Sequence, residues 1–160
     1  MRLRNIFAMF AAVVAALLMV TSPAGADAPK FHTAGSSVNG SGALAVSFDE
    51  RGLGNANIDY VLRADATATY ACINGGGNHP QAANKETFNA GVSGGGSFEP
   101  KNGRVTASLS AGPIPAGSFS CPNGQRLVLA GVSYSNVVLT DTTNGVSTSV
   151  AGVSRTFFNV

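Results

Sequence analysis

The chain contains no tryptophan, only two cysteines and two histidines, and just 11% charged residues. Each shortage excludes something. Two histidines, His32 and His79, stand without a second His, Cys or carboxylate at a ligand spacing, so no zinc site is expected. The acids form no calcium loop: Asp141 opens a polar stretch, but Thr143 and Gly145 follow where carboxylates or amides would be needed. No cofactor or metal is therefore expected. Without Trp, the usual aromatic platform for sugars is missing, and Tyr60, Tyr70 and Tyr134 are left as substitutes. No segment after residue 26 has helical spacing of useful length.

One long apolar run does exist, from Ile6 to Val20, preceded by Arg2 and Arg4. It falls short of the roughly 20 residues that span a bilayer and suits the apolar region of a secretory signal. Thr21, Ser22 and Pro23 break it, and Ala24-Gly25-Ala26 supplies a small-x-small cleavage pattern. Cleavage after Ala26 fits better than after Ala28, where Pro29 would follow the scissile bond. Residues 1–26 are thus expected to be a cleaved signal peptide, and 27–160 a secreted domain. Of the ten Lys and Arg, Arg2 and Arg4 leave with the signal, and the remaining eight balance eight Asp and Glu. A charge-balanced domain has no field for nucleic acid or for anionic membranes. In an exported chain the pair Cys72 and Cys121 is expected to be a disulfide.

What is plentiful is Gly, Ala, Ser, Thr and Val in period-two order. Ile58, Tyr60, Leu62, Ala64, Ala66, Ala68, Tyr70 and Cys72 occupy alternate positions, with Asp59, Arg63, Asp65, Thr67 and Thr69 between them. That is a long half-buried strand, or two collinear ones bent near Ala64 to Ala68. Leu44, Val46, Phe48 and Val105, Ala107, Leu109, Ala111 repeat the pattern. Asn-Gly occurs five times, and three of these turns (39–42, 102–103 and 144–145) lie between alternating runs and read as hairpins. Strands are expected near 30–38, 43–49, 57–73, 86–98, 104–111, 126–141 and 146–158, with a bulge or break at Gly94-Gly95-Gly96. About seven strands point to an all-β, single-domain, antiparallel β-sandwich with one disulfide, immunoglobulin-like in architecture. An up-and-down or jelly-roll arrangement is the alternative.

Two long polar loops meet at the expected disulfide. One follows Cys72 and carries Asn78, His79, Gln81, Asn84 and Lys85. The other surrounds Cys121 and carries Phe119, Asn123 and Gln125. Loops tied at one end of a sandwich are where binding sites form, with amides and a cation for polar contacts and Phe119 as an apolar anchor. The partner would be an extracellular protein or a small ligand. The Pro-stiffened loop 112–122 also suits an extracellular protease inhibitor. Gly91-Val92-Ser93-Gly94-Gly95 matches the hydrolase pattern G-x-S-x-G, but a nucleophile elbow needs a strand-turn-helix context. No catalytic set is expected.

The run Tyr70-x-Cys72, Asn74-Gly-Gly-Gly-Asn78-His79-Pro80, Asn84-Lys85-Glu86-Thr87, with Ser120-Cys121-Pro122 and Tyr134-Ser-Asn136, resembles a group of small secreted actinobacterial proteins. The resemblance implies export and a β fold, and it carries no activity. N-terminal sequencing of the secreted protein is expected to start at Asp27. A start at Met1 would show an uncleaved leader.

Overall fold

The computed structural model describes residues 28–75 and 84–160; the expected signal peptide lies outside them, as do Asn78, His79 and Gln81. The described residues form β1 (Lys30–Val38), β2 (Leu44–Arg51), β3 (Ile58–Asn74), β4 (Lys85–Phe98), β5 (Arg104–Ala111), β6 (Gln125–Asp141), β7 (Val146–Val150) and β8 (Val153–Thr156), with no helix among them. A short sheet in the order β1-β2-β5 faces a long sheet in the order β4-β3-β6-β7, with β8 also pairing to β6. Every pairing is antiparallel. The sandwich is as expected. The predicted seventh strand, however, divides at Ala151-Gly152, where a methyl on Gly152 would come within 2.7 Å of the Tyr134 carbonyl.

The alternating residues make one core. Leu44, Val46 and Phe48 of β2, with Val105 and Leu109 of β5, pack on Ile58, Tyr60 and Leu62 of β3 and on Val132, Tyr134, Val137 and Leu139 of β6. Phe48 and Tyr60 lie ring against ring at 4.7 Å between centroids. β3 runs unbroken; the irregularities sit on its partner. Asn136 and Val137 of β6 both stand opposite Ala64, and Ala130 is inserted between Gly131, opposite Thr69, and Leu129, opposite Tyr70. Asn136 takes a positive φ of 49°, and its side-chain amide donates to Asp65 Oδ2 at 2.7 Å. Each extra residue reverses which positions of β6 face inward. Inward Val132 and Tyr134 therefore give way to inward Val137 and Leu139.

Two turn and glycine expectations need correction. Gly94-Gly95-Gly96 is neither bulge nor break, since β4 stays in register with β3 from Lys85 to Phe98. Gly94 is there because β5 crosses close by, since a methyl on it would overlap the Ser110 carbonyl; a methyl on Gly96 would press on the Leu109 and Phe98 side chains. Asn102-Gly103 does form a tight turn with both residues at positive φ, 52° and 71°. It closes only the Lys101–Arg104 bridge and hands the chain from the long sheet to the short one. The turns at 39–42 and 144–145 do join paired strands. In the first, Asn39 Oδ1 accepts from the Ser41 and Ala43 amides at 3.0 and 2.9 Å, an Asx-type closure.

The core also holds an acid. Glu50 continues the inward phase of Leu44, Val46 and Phe48 and is fully buried. It reaches towards Tyr60 and Asp141, which stand opposite each other on β3 and β6 and are also buried. Asp141 is satisfied by the Asn144 amide and side chain at 2.9 and 2.6 Å. Neither Glu50 oxygen nor the Tyr60 hydroxyl closes a hydrogen bond of good geometry. Burial raises the Glu50 pKa; the Tyr60 hydroxyl beside it opposes that rise, and Asp141 adds to it. On the opposite face of β2, hydrogen bonds from Arg51, joined by Arg104, hold Asp49 below the usual carboxylate range.

These two acids give stability opposite slopes in pH. Protonating Asp49 as pH falls below its ordinary 3.8 removes stability. Glu50 binds its proton more tightly folded than unfolded, so its contribution is complete below the ordinary glutamate value of 4.5 and declines as pH rises above it. Thermal melts are expected to show a mildly acidic optimum followed by a decline towards neutrality, and Glu50→Gln is expected to flatten that decline. Gly94→Ala is expected to cost about 1–3 kcal/mol in denaturant unfolding, because the crossing β5 backbone must move.

Candidate functional site at the disulfide end

β3 and β6 are seventeen residues long and β2 and β5 are eight, so roughly half of the long sheet extends beyond the short one. The inner side of that overhang carries Ala68, Tyr70 and Cys72 of β3, Phe88 of β4, and Leu129 and Leu127 of β6. An apolar sheet face cannot be left to water without cost, about 25 cal/mol per Å². Residues 112–124 cover it without forming a strand. Ile114 packs into the core, and the buried-side hydroxyl of Tyr70 donates to its carbonyl at 2.7 Å. Gly112 leads in through a cis peptide to Pro113 with φ of 72°, a methyl there being blocked at 2.9 Å by the Tyr134 hydroxyl. That hydroxyl donates in turn to the Gly42 carbonyl at 2.6 Å and fastens the β1–β2 turn to the same region.

The expected disulfide is present. Cys72 and Cys121 lie 5.5 Å apart at Cα, and 49 positions apart in sequence. Cys72 belongs to β3, and Cys121 is the far anchor of the covering loop. The outer side of the same end is covered separately. Phe158 and Val160 pack on Ala71 and Ala130, and the Phe157 and Phe158 amides donate to the Ala130 carbonyl at 2.8 and 3.1 Å.

Among the sequence candidates, the structure brings Asn84, Lys85, Phe119, Asn123 and Gln125 to this end. Asn84 is exposed and its carbonyl accepts from the Cys72 amide at 3.0 Å. Lys85 is exposed, with Nζ 3.3 Å from the Val160 carbonyl oxygen. Asn123 is exposed, and Phe119 is half-buried with its amide bonded to the Ala116 carbonyl at 3.0 Å. Gln125 is half-buried; its Oε1 is enclosed and has no donor. The covering loop lies along the sheet through Ile114 rather than projecting from it.

Sequence reasoning missed Leu127. Among the described residues it is the one large hydrophobic side chain left exposed, at 39%. It stands directly opposite Cys72, so it borders the disulfide where the loop cover ends. Its inward phase depends on the extra residue at Ala130, which no local pattern announces. Ser93, of the G-x-S-x-G match, lies mid-strand opposite Arg63. It borders an open depression of about 330 Å³ with Arg63, Asp65, Val92 and Asn136. No histidine lines that depression, and no helix follows the serine among the described residues. Nor do the described residues contain a group of three metal-ligating side chains.

No protein-family model, curated protein or solved structure matches the chain.

Replacing both Cys72 and Cys121 with Ala is expected to lower stability by about 4 kcal/mol on the chain-entropy estimate for a loop of this size. Residues 112–124 should then become the first site of limited proteolysis. A double variant with an unchanged unfolding midpoint and an intact loop would show that Tyr70 and Ile114 hold the cover alone.

Proposed function

We propose that the chain is an exported, non-enzymatic interaction module of immunoglobulin-like topology, whose working surface is the disulfide-bearing end. The observation that carries this reading is Leu127, an exposed apolar side chain beside a rigidly held loop. The same end of the sandwich also carries half-buried Phe119 and the side-chain amides of Asn84, Asn123 and Gln125. Apolar anchors ringed by polar groups on a fixed frame make a binding surface without much ordering cost. The partner is an extracellular protein or small ligand; the charge-balanced domain after Ala26 offers nucleic acid no attraction.

Strand order supports the topology. β1-β2-β5 and β3-β6-β7 correspond to the A-B-E and C-F-G sets of the immunoglobulin sandwich, with the fourth strand beside C rather than beside E. The disulfide is compatible with an oxidising compartment. The Arg2–Ala26 leader pattern and the resemblance to small secreted actinobacterial proteins point to the same location.

Binding of the oxidised domain to panels of extracellular glycans and surface proteins tests the reading. Leu127→Ser, at a side chain already exposed, is expected to weaken any interaction by about tenfold or more, with little change in thermal midpoint. Undiminished binding by that variant would place the working surface elsewhere.

A further inference from the structure

β4 is a free edge of the long sheet. It stays regular and in register with β3 over its whole length, and no described strand pairs with its other side. Exposed edges of this length are usually blunted by proline, by a bulge or by charge. Here there is no proline, no bulge, and no charged residue between Thr87 and Phe98. At Gly94 the β5 backbone crosses close over the strand. Ahead of that crossing, residues 85–93 leave their outer backbone edge without a described strand partner, while the inner-facing Phe88 and Val92 lie against the covering loop near Gly117 and Gly112.

We propose that this edge is a self-association surface, on which a second copy of the chain pairs β4 to β4, antiparallel, about a two-fold axis at Ala90. Directly opposed residues of an antiparallel pair share a face, so a two-fold axis that keeps the two outer faces aligned must pass through a residue position. Centred on Ala90, the strand complements itself. Ala90 meets Ala90, and Phe88 meets Val92 of the second copy, all on the inner side. Asn89 meets Gly91 and Thr87 meets Ser93 on the outer side. Glu86 and Lys85 fall opposite Gly94 and Gly95, so no charge opposes a like charge.

The side chains suit that arrangement. Phe88 and Val92 are half-buried and Ala90 is exposed, and an aromatic facing a β-branched residue is a favoured cross-strand pair. Phe88 is braced from behind by Tyr70, whose ring centroid lies 6.1 Å away. Neighbouring registers lose the match. An axis at Asn89 sets Glu86 against Val92, and an axis at Gly91 sets Phe88 against Gly94, which offers it no side chain. The occupant is therefore this chain itself: its unpaired edge carries no net charge, Lys85 and Glu86 cancelling, and is palindromic in polarity and free of opposed like charge.

Analytical ultracentrifugation of oxidised residues 27–160 across the micromolar range is expected to show a concentration-dependent dimer. Ala90→Lys places two ammonium groups face to face at the axis; because Ala90 is exposed, the thermal midpoint should hold while the dimer dissociates. Ala90→Cys should oxidise to a covalent dimer, with the Cys72–Cys121 bond intact by peptide mapping, and Asn89→Cys should not. A monomer at every concentration overturns the proposal, including one that instead captures an unrelated extended peptide. So does a dimer that survives Ala90→Lys, or equal cross-linking at positions 89 and 90.

Discussion

Two sheets of unequal length cannot bury each other's inner faces, and much of the molecule answers to that mismatch. The eight-residue strands of the short sheet shield only half of the seventeen-residue β3 and β6. The rest is covered by chain that belongs to neither sheet. Residues 112–124 lie on the inner side, held by the Tyr70–Ile114 hydrogen bond and by Cys121 bonded to Cys72. On the outer side Phe158 and Val160 settle over Ala71 and Ala130. A loop with few hydrogen bonds of its own has little reason to stay on an apolar floor; one covalent bond at its far end removes the alternative. The disulfide thus acts as a fastener for a missing strand. Leu127 marks where the cover ends.

The inner faces also explain the two unusual groups of acids. Strand alternation carries Glu50 inward as strictly as it carries Val46 and Phe48, whatever its polarity. A carboxyl in that position is tolerable when protonated and costly when charged. Asp49, one residue along, faces outward and is clamped by two arginines. Adjacent acids on one strand are therefore pushed to opposite protonation preferences by nothing more than the pleat.

Most of the sandwich was legible because period-two polarity is a local signal. β1, β2, β3 and β5 came out within a residue or two of their expected limits, and Cys72 with Cys121 needed only counting. The losses have physical causes. Gly94-Gly95-Gly96 looks like a weak point in β4 when read along the chain, because the β5 crossing that requires Gly94 is a contact between distant segments. Asn102-Gly103 has the chemistry of a hairpin turn, and turn chemistry fixes the local reversal but not which sheet the chain joins next. At the candidate site Asn84, Lys85, Phe119, Asn123 and Gln125 were found through the cysteines. Leu127 was hidden because the extra residue at Ala130 inverts the phase of β6. Glu50 could have been found: it sits in step with three core residues.

The order of the strands has a kinetic side. β2 must find β5 and β3 must find β6 across intervening strands, and topologies dominated by such distant pairings fold slowly. In the reduced chain, Cys72 and its neighbour Leu127 are separated by some fifty residues of backbone. Once Cys121 is bonded to Cys72, the route between them is a single sulfur bridge and the few residues from 121 to 127. Oxidation turns this end of the β3–β6 pairing into a nearly local one. The fastener of the finished fold can therefore also serve as a shortcut during its assembly.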